Sequence, residues 1–250
     1  MSGSGAVVRR YRTGLAAFAV VLAGGLLAGC APEPVDPPPT VPASPSPTVT
    51  PSPTPAPEPE PTEAAWERFV DPRTPGSFEI PPGWSVVESE ESEPEHEIFK
   101  FDLLDTAGTK QLTYARKVMG LGGGCGGGPN SYLVTTELDA QPLEVPGYVP
   151  TSDPFPGVVP PQFSYRVFET VHEPGVFATV ALSDTTPTES CFYYNLLMGD
   201  TGYVQFADTL QVSVSDAVKH FDSADEARAY MDTDEYATLK RVLLSFRLDS

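Results

Sequence analysis

The chain has 250 residues, with 15 Lys and Arg against 34 Asp and Glu and a net charge of −19. That length holds one ordinary domain plus appendages. The charge argues against nucleic acid as a partner, because an acidic surface repels phosphate backbones.

The first 30 residues divide into three zones. Arg9, Arg10 and Arg12 make a positive start, Leu15 to Leu27 is uncharged and free of proline, and Leu27-Ala28-Gly29-Cys30 closes the segment. The apolar run is short for a membrane-spanning helix, which needs about 20 such residues. It has the length of a signal-peptide core. The four closing residues resemble the lipobox of bacterial lipoproteins at every position. The resemblance implies that 1–29 is a signal peptide cut before Cys30. It further implies that lipid on the Cys30 thiol holds the protein to the cell membrane on its extracytoplasmic face. Two acyl chains suffice for stable anchorage. Arg9-Arg10 is followed by Tyr11, Arg12 and Thr13, a poor fit to a twin-arginine signal, so general secretion is expected. Cleavage would leave 12 basic residues against 34 acidic ones.

Residues 31–61 contain 14 prolines, mixed with Ser, Thr, Ala and Glu. Nothing there is periodic enough to build a core. Residues 30–61 therefore read as the lipidated cysteine and a Pro-rich, disordered tether, extended at about 3.1 Å per residue where it is polyproline-like. Residues 62–250 read as one globular domain, with the change of composition at Trp66.

Within the domain, Phe78-Glu79-Ile80 is a short strand, Pro81-Pro82-Gly83 a turn, and Trp84 to Val87 a second strand. Glu88 to Glu97 is an acidic loop. Ile98 to Leu103 and Gln111 to Arg116 alternate in polarity around a turn at Gly108, the pattern of a hairpin. Further strands are expected at 131–138, 163–170, 176–182, 192–198, 203–206 and 210–214, in a mainly antiparallel sheet. Ser223-Ala224-Asp225-Glu226 is a capping-box pattern that starts a helix running to about Met231. Thr233 caps a second helix, in which Tyr236, Leu239, Val242 and Leu243 share the face that packs on the sheet. Ser245 to Leu248 alternates as a last strand.

The opening Phe78-Glu79-Ile80-Pro81-Pro82-Gly83-Trp84 and the closing helix that runs into Leu244-Ser245-Phe246 resemble the two ends of PsbP-like domains, including LpqN-type lipoproteins. The resemblance implies an α+β sandwich with terminal helices packed on an antiparallel sheet. It carries over no functional residue, since such domains share shape more than activity. An all-β sandwich with C-terminal helices is the other architecture the pattern allows.

With Cys30 assigned to lipid, Cys125 and Cys191 remain, and an exported domain permits them to pair. Two isolated thiols make an incomplete zinc site, so no metal and no cofactor is expected. Gly120 to Pro129 holds seven glycines but lacks a P-loop ending, and reads as a flexible loop that brings Cys125 to its partner. His96, His172 and His220 show no ligand spacing, and no Gly-x-Ser-x-Gly elbow is present. The acidic groups Glu88 to Glu97 and Asp232 to Glu235 read as solvated faces. Gln141 to Pro161 has seven prolines around Tyr148, Phe155, Val158 and Val159. A loop of that length either engages a partner or covers its own sheet edge. Together these features point to a non-catalytic binding module in the cell envelope, for a protein, a glycan or a small apolar ligand. The alternative is an envelope hydrolase whose catalytic residues are dispersed in sequence.

Overall fold

The computed structural model describes residues 65–125, 132–152, 158–170, 174–186, 190–213 and 219–248. All of them fall within a compact unit spanning Pro59–Ser250. Cys30, the apolar run before it, the Pro-rich segment, His172 and Phe155 lie outside the described residues.

The fold is an α+β sandwich built on an antiparallel sheet that does not close into a barrel. Strands β1 (Glu67–Asp71) and β2 (Thr74–Ile80) form a hairpin of their own. The main sheet follows the order β3 (Ser85–Glu88), β4 (Lys100–Leu104), β5 (Lys110–Val118), β11 (Gly202–Ala207), β8 (Val176–Thr185), β7 (Val158–Glu169) and β6 (Val134–Pro142). Two further strands attach beside this path. β10 (Leu197–Gly199) pairs with β11, and β13 (Lys219–Phe221) pairs with β8. The short strands β9 (Tyr193–Tyr194) and β12 (Gln211–Val212) form a separate pair.

The hairpin expected from alternation is present, with Leu103 opposite Leu112 and Phe101 opposite Tyr114. These residues share one face with Val204, Phe206, Val180, Leu182, Phe163, Tyr165 and Val167, and together they form the main core. The β1–β2 hairpin covers one half of this face. Phe78 is fully buried and packs at 4.8 Å from Phe69 and 4.7 Å from Phe206.

The helices cover the other half. In α1 (Ala224–Ala229) the Ser223 hydroxyl accepts from Glu226 N, while Glu226 reaches back to Asp222 N. α2 (Asp234–Leu244) is capped by Thr233 and buries Tyr236, Leu239, Val242 and Leu243, the four residues its periodicity picks out. Tyr236 Oη and Lys240 Nζ both donate to Asp139 Oδ2 at 2.6 Å, which ties the helix to edge strand β6. The last expected strand is reduced to a single bridge between Arg247 and Ser77, because Glu79 N is bonded to Ser245 Oγ on one side and Leu248 N to Pro146 O on the other.

The opposite face of the sheet is more polar. Ser164, Arg166, Thr179 and Ser183 are buried there, and β9 and β12 cover the region around Phe168 and Phe177. The Cys125–Cys191 disulfide fastens this cover, so the pairing expected from the cysteine count is the one found.

Candidate binding cleft

The two described histidines, His96 and His220, lie apart and do not meet a nucleophile. His96 is exposed, with Nδ1 at 3.1 Å from Glu93 Oε2. His220 lies on β13, against the Phe177 ring at 5.0 Å, with Nε2 3.4 Å from Pro174 O. Neither has a serine or cysteine partner among the described residues. No group of three His, Cys, Asp or Glu side chains gathers as a metal site among them either. The acidic loop spends several of its charges on cations: Glu88 on Arg73, Glu91 on Lys100 and Glu97 on Lys117.

The proline-rich stretch is fastened down in its described part. Gln141 and Pro142 end β6, and Val158 to Pro161 open β7. Between them Val145 is buried in the core, and Tyr148 Oη donates to the Asp184 carboxylate. Thr151 N bonds Met198 O at 2.8 Å. Burial pushes Asp184 up from the usual carboxylate range, against the bonds from Tyr148 and Met198 N that favour its charge. In its described part the segment thus lies along β10, with Pro150 bridged to Gly199.

The polar face of the sheet holds a buried network. Arg166 is 1 % exposed, donates from Nη2 to Thr185 O at 2.6 Å, and places Nε 3.3 Å from Glu137 Oε1. Asp208 accepts from Thr179 Oγ1 and from Val180 N, and burial raises its pKa to about 6. Asn195 Nδ2 binds Thr179 Oγ1 at 2.8 Å. This network supports β9 and β10 from inside the fold. Most of these polar atoms are bonded, which offsets the cost of burying them; Arg166 Nε and Asn195 Oδ1 have no hydrogen-bond partner.

The surface carries a different arrangement at the end of β5. A β-bulge lies there: Val118 opposes Tyr203 and Arg116 opposes Val204, so Lys117 is the extra residue. Its backbone is left-handed, with φ of 55°. Consecutive strand residues normally face opposite sides, but the bulge turns Arg116 and Lys117 into the same cleft. Gly202 makes this possible across the strand, at φ of +116° with only 3.4 Å from its missing Cβ position to Lys117 Cα.

The cleft has a volume of about 540 Å³ and also takes in Arg73, Thr74, Glu97 and Thr201. Arg116 Nη2 donates to Thr201 Oγ1 at 2.7 Å and Nη1 reaches Pro75 O at 3.4 Å. Its Nε is buried without a hydrogen-bond partner, and among the described residues no carboxylate lies within ion-pair distance of it. Thr74, 3 % exposed, sets its hydroxyl beside the Tyr114 phenol without closing a bond of normal geometry, while that phenol donates to Pro75 O. Burial raises Tyr114 to about 12, with Thr74 and the Arg116 charge working against the rise. Lys117 Nζ meets Glu97 Oε2 at 2.6 Å, and this bond holds the Glu97 carboxyl below its ordinary range. Glu97 has φ of 57°; among the described residues it and Lys117 are the two non-glycine positions with left-handed backbone. Such conformations cost about 1–2 kcal/mol each and gather at functional sites.

Sequence reasoning missed this cleft. The one visible signal was a pair of consecutive cations closing an alternating strand. No family model, no curated protein and no solved structure matches the chain.

Proposed function

We propose that the chain is an extracytoplasmic lipoprotein, held to the cell membrane by lipid on Cys30, whose domain works as a non-catalytic binding module. The address rests on the positive start, the apolar run and Leu27-Ala28-Gly29-Cys30. The Pro-rich segment behind Cys30 would carry the domain away from the membrane surface. The sheet with its C-terminal helices is in keeping with the resemblance to PsbP-like domains.

The binding reading is carried by the cleft at the end of β5. Three cations and two threonines line it against one carboxylate, in a chain that is acidic as a whole. Two of the lining residues, Glu97 and Lys117, have left-handed backbone and are joined by an ion pair. Concave sites with a few convergent polar groups are where ligands bind.

Metabolic labelling with an alkyne analogue of palmitate tests the address. The wild type should label and fractionate with membranes, and Cys30→Ala should do neither. Label retained on the Cys30→Ala protein would overturn the anchored reading.

A further inference from the structure

We propose that the cleft between Arg73, Arg116 and Lys117 is an oxyanion site that takes a phosphate ester group. This deepens the reading of the domain as a binding module and rests on it.

Most described Lys and Arg side chains already hold a carboxylate; Arg116 holds a threonine hydroxyl and a backbone carbonyl instead. Its fork is therefore bonded to neutral acceptors. A phosphate oxygen in place of Thr201 Oγ1 would turn a neutral hydrogen bond into a charge-assisted one, and guanidinium geometry matches phosphate in a bidentate way.

Lys117 stands beside Arg116 only because of the bulge. Its partner Glu97 is 75 % exposed at the side chain, and the pair joins the two strained non-glycine residues. Glu97 thus occupies the cation as a removable internal carboxylate. A ligand must outcompete it, and a phosphate ester, with a charge near −2 and three acceptor oxygens, is better equipped to do so than a second carboxylate. Arg73 completes the lining. It is held by Asp71 at 2.7 Å and Glu88 at 2.9 Å, and lies 4.5 Å over the Phe99 ring, so it enters as a fixed charge.

The test is calorimetric titration of the full chain, in neutral detergent and low salt, with glucose 6-phosphate, inorganic phosphate and glucuronate. Both phosphates should bind, glucuronate at least tenfold more weakly, and added salt should weaken binding. Arg116→Gln should lower phosphate affinity at least tenfold, the order expected for a hydrogen bond to a charged group. Glu97→Gln removes the competitor and should raise affinity severalfold. Lys110→Gln, an equal charge change outside the cleft, should leave it unchanged.

The Glu97→Gln result decides the matter even if Arg116→Gln fails to fold. No phosphate binding by the wild type, no gain in Glu97→Gln, or an equal loss in Lys110→Gln would each overturn the site. Preference for glucuronate would overturn the phosphate assignment. Those failures leave palmitate labelling at Cys30 untouched, so the two proposals fail separately.

Discussion

Replacing both Cys125 and Cys191 by Ser should cost the domain about 4 kcal/mol. The bridge spans a sequence separation of 66 residues, and freeing a loop of that length in the unfolded chain contributes roughly this much by closure entropy. The folded state should lose little in exchange. Phe192 still packs against Gly123, Tyr194 Oη still donates to Gly122 O at 2.9 Å, and Val212 remains buried in its cluster. For a domain of this size such a loss lowers the melting temperature by about 10 °C. Urea unfolding followed by tryptophan fluorescence checks the value, since Trp66 and Trp84 both pack against the main core. A loss below about 1 kcal/mol would refute the closure argument and mean that the unfolded chain stays compact across this loop. Hydrogen exchange adds a second readout. The β9–β12 pair has two residues per strand, so its protection should fall before that of β7 and β8.

Asp208 titrates at about 6 in the fold because it is buried, against an ordinary 3.8. A raised carboxyl contributes stability that is fully present below about 3.8 and lost as pH climbs through about 6, so between about pH 4.5 and 7.5 the wild type should lose roughly 2 kcal/mol more than Asp208→Asn. Urea midpoints of the two proteins at those two pH values measure this, and parallel pH profiles would sink it. Gly76→Ala should destabilise by about 3 kcal/mol. Its Cβ would sit 2.0 Å from the Tyr114 hydroxyl oxygen, on a backbone with φ of +143°, and a melting temperature within a degree of wild type would contradict that.

The parts of the fold that were legible are those where one local rule decides. Alternation placed β4 and β5 as a hairpin, because each strand shows one face to the aromatic core. Capping residues placed both helices, since Ser223 and Thr233 each satisfy a backbone donor that helix geometry leaves free. Elsewhere tertiary pairing overrode the pattern. β1 went unread because it is mostly exposed, with Phe69 its one half-buried apolar residue, packed on Phe78 and Phe101. The run expected at 192–198 is split into β9 and β10, with Asn195 turned inward to Thr179 between them. β13, which carries His220, is too short to show a period of its own and is placed by pairing with β8 and by contacts of Lys219, His220 and Phe221 with Glu235, Phe177 and Tyr230. β7 runs through Pro160 and Pro161, where its register against β8 shifts and the missing donors do no harm.

The cleft escaped the sequence for a related reason. Its lining comes from the start of β2, the acidic loop, the end of β5 and the turn before β11, segments that share no motif and no period. A left-handed Lys or Glu is invisible in a sequence, since each residue alone prefers the extended or helical basin. Glu97 and Lys117 adopt that basin together and pair with each other, although either could have been glycine at no steric cost. Glu97 closes the short turn Pro94–His96 as its left-handed cap, with its N–H on Pro94 O, and Lys117 is the bulge residue, so each conformation has a local role and the ion pair then brings both side chains to the cleft. What sets this cleft apart from the groove on α2 is Arg116, bonded to a hydroxyl and a carbonyl and to no carboxylate among the described residues, whereas Arg241 is already bonded to Glu79 and stacked on Trp66 at 3.8 Å.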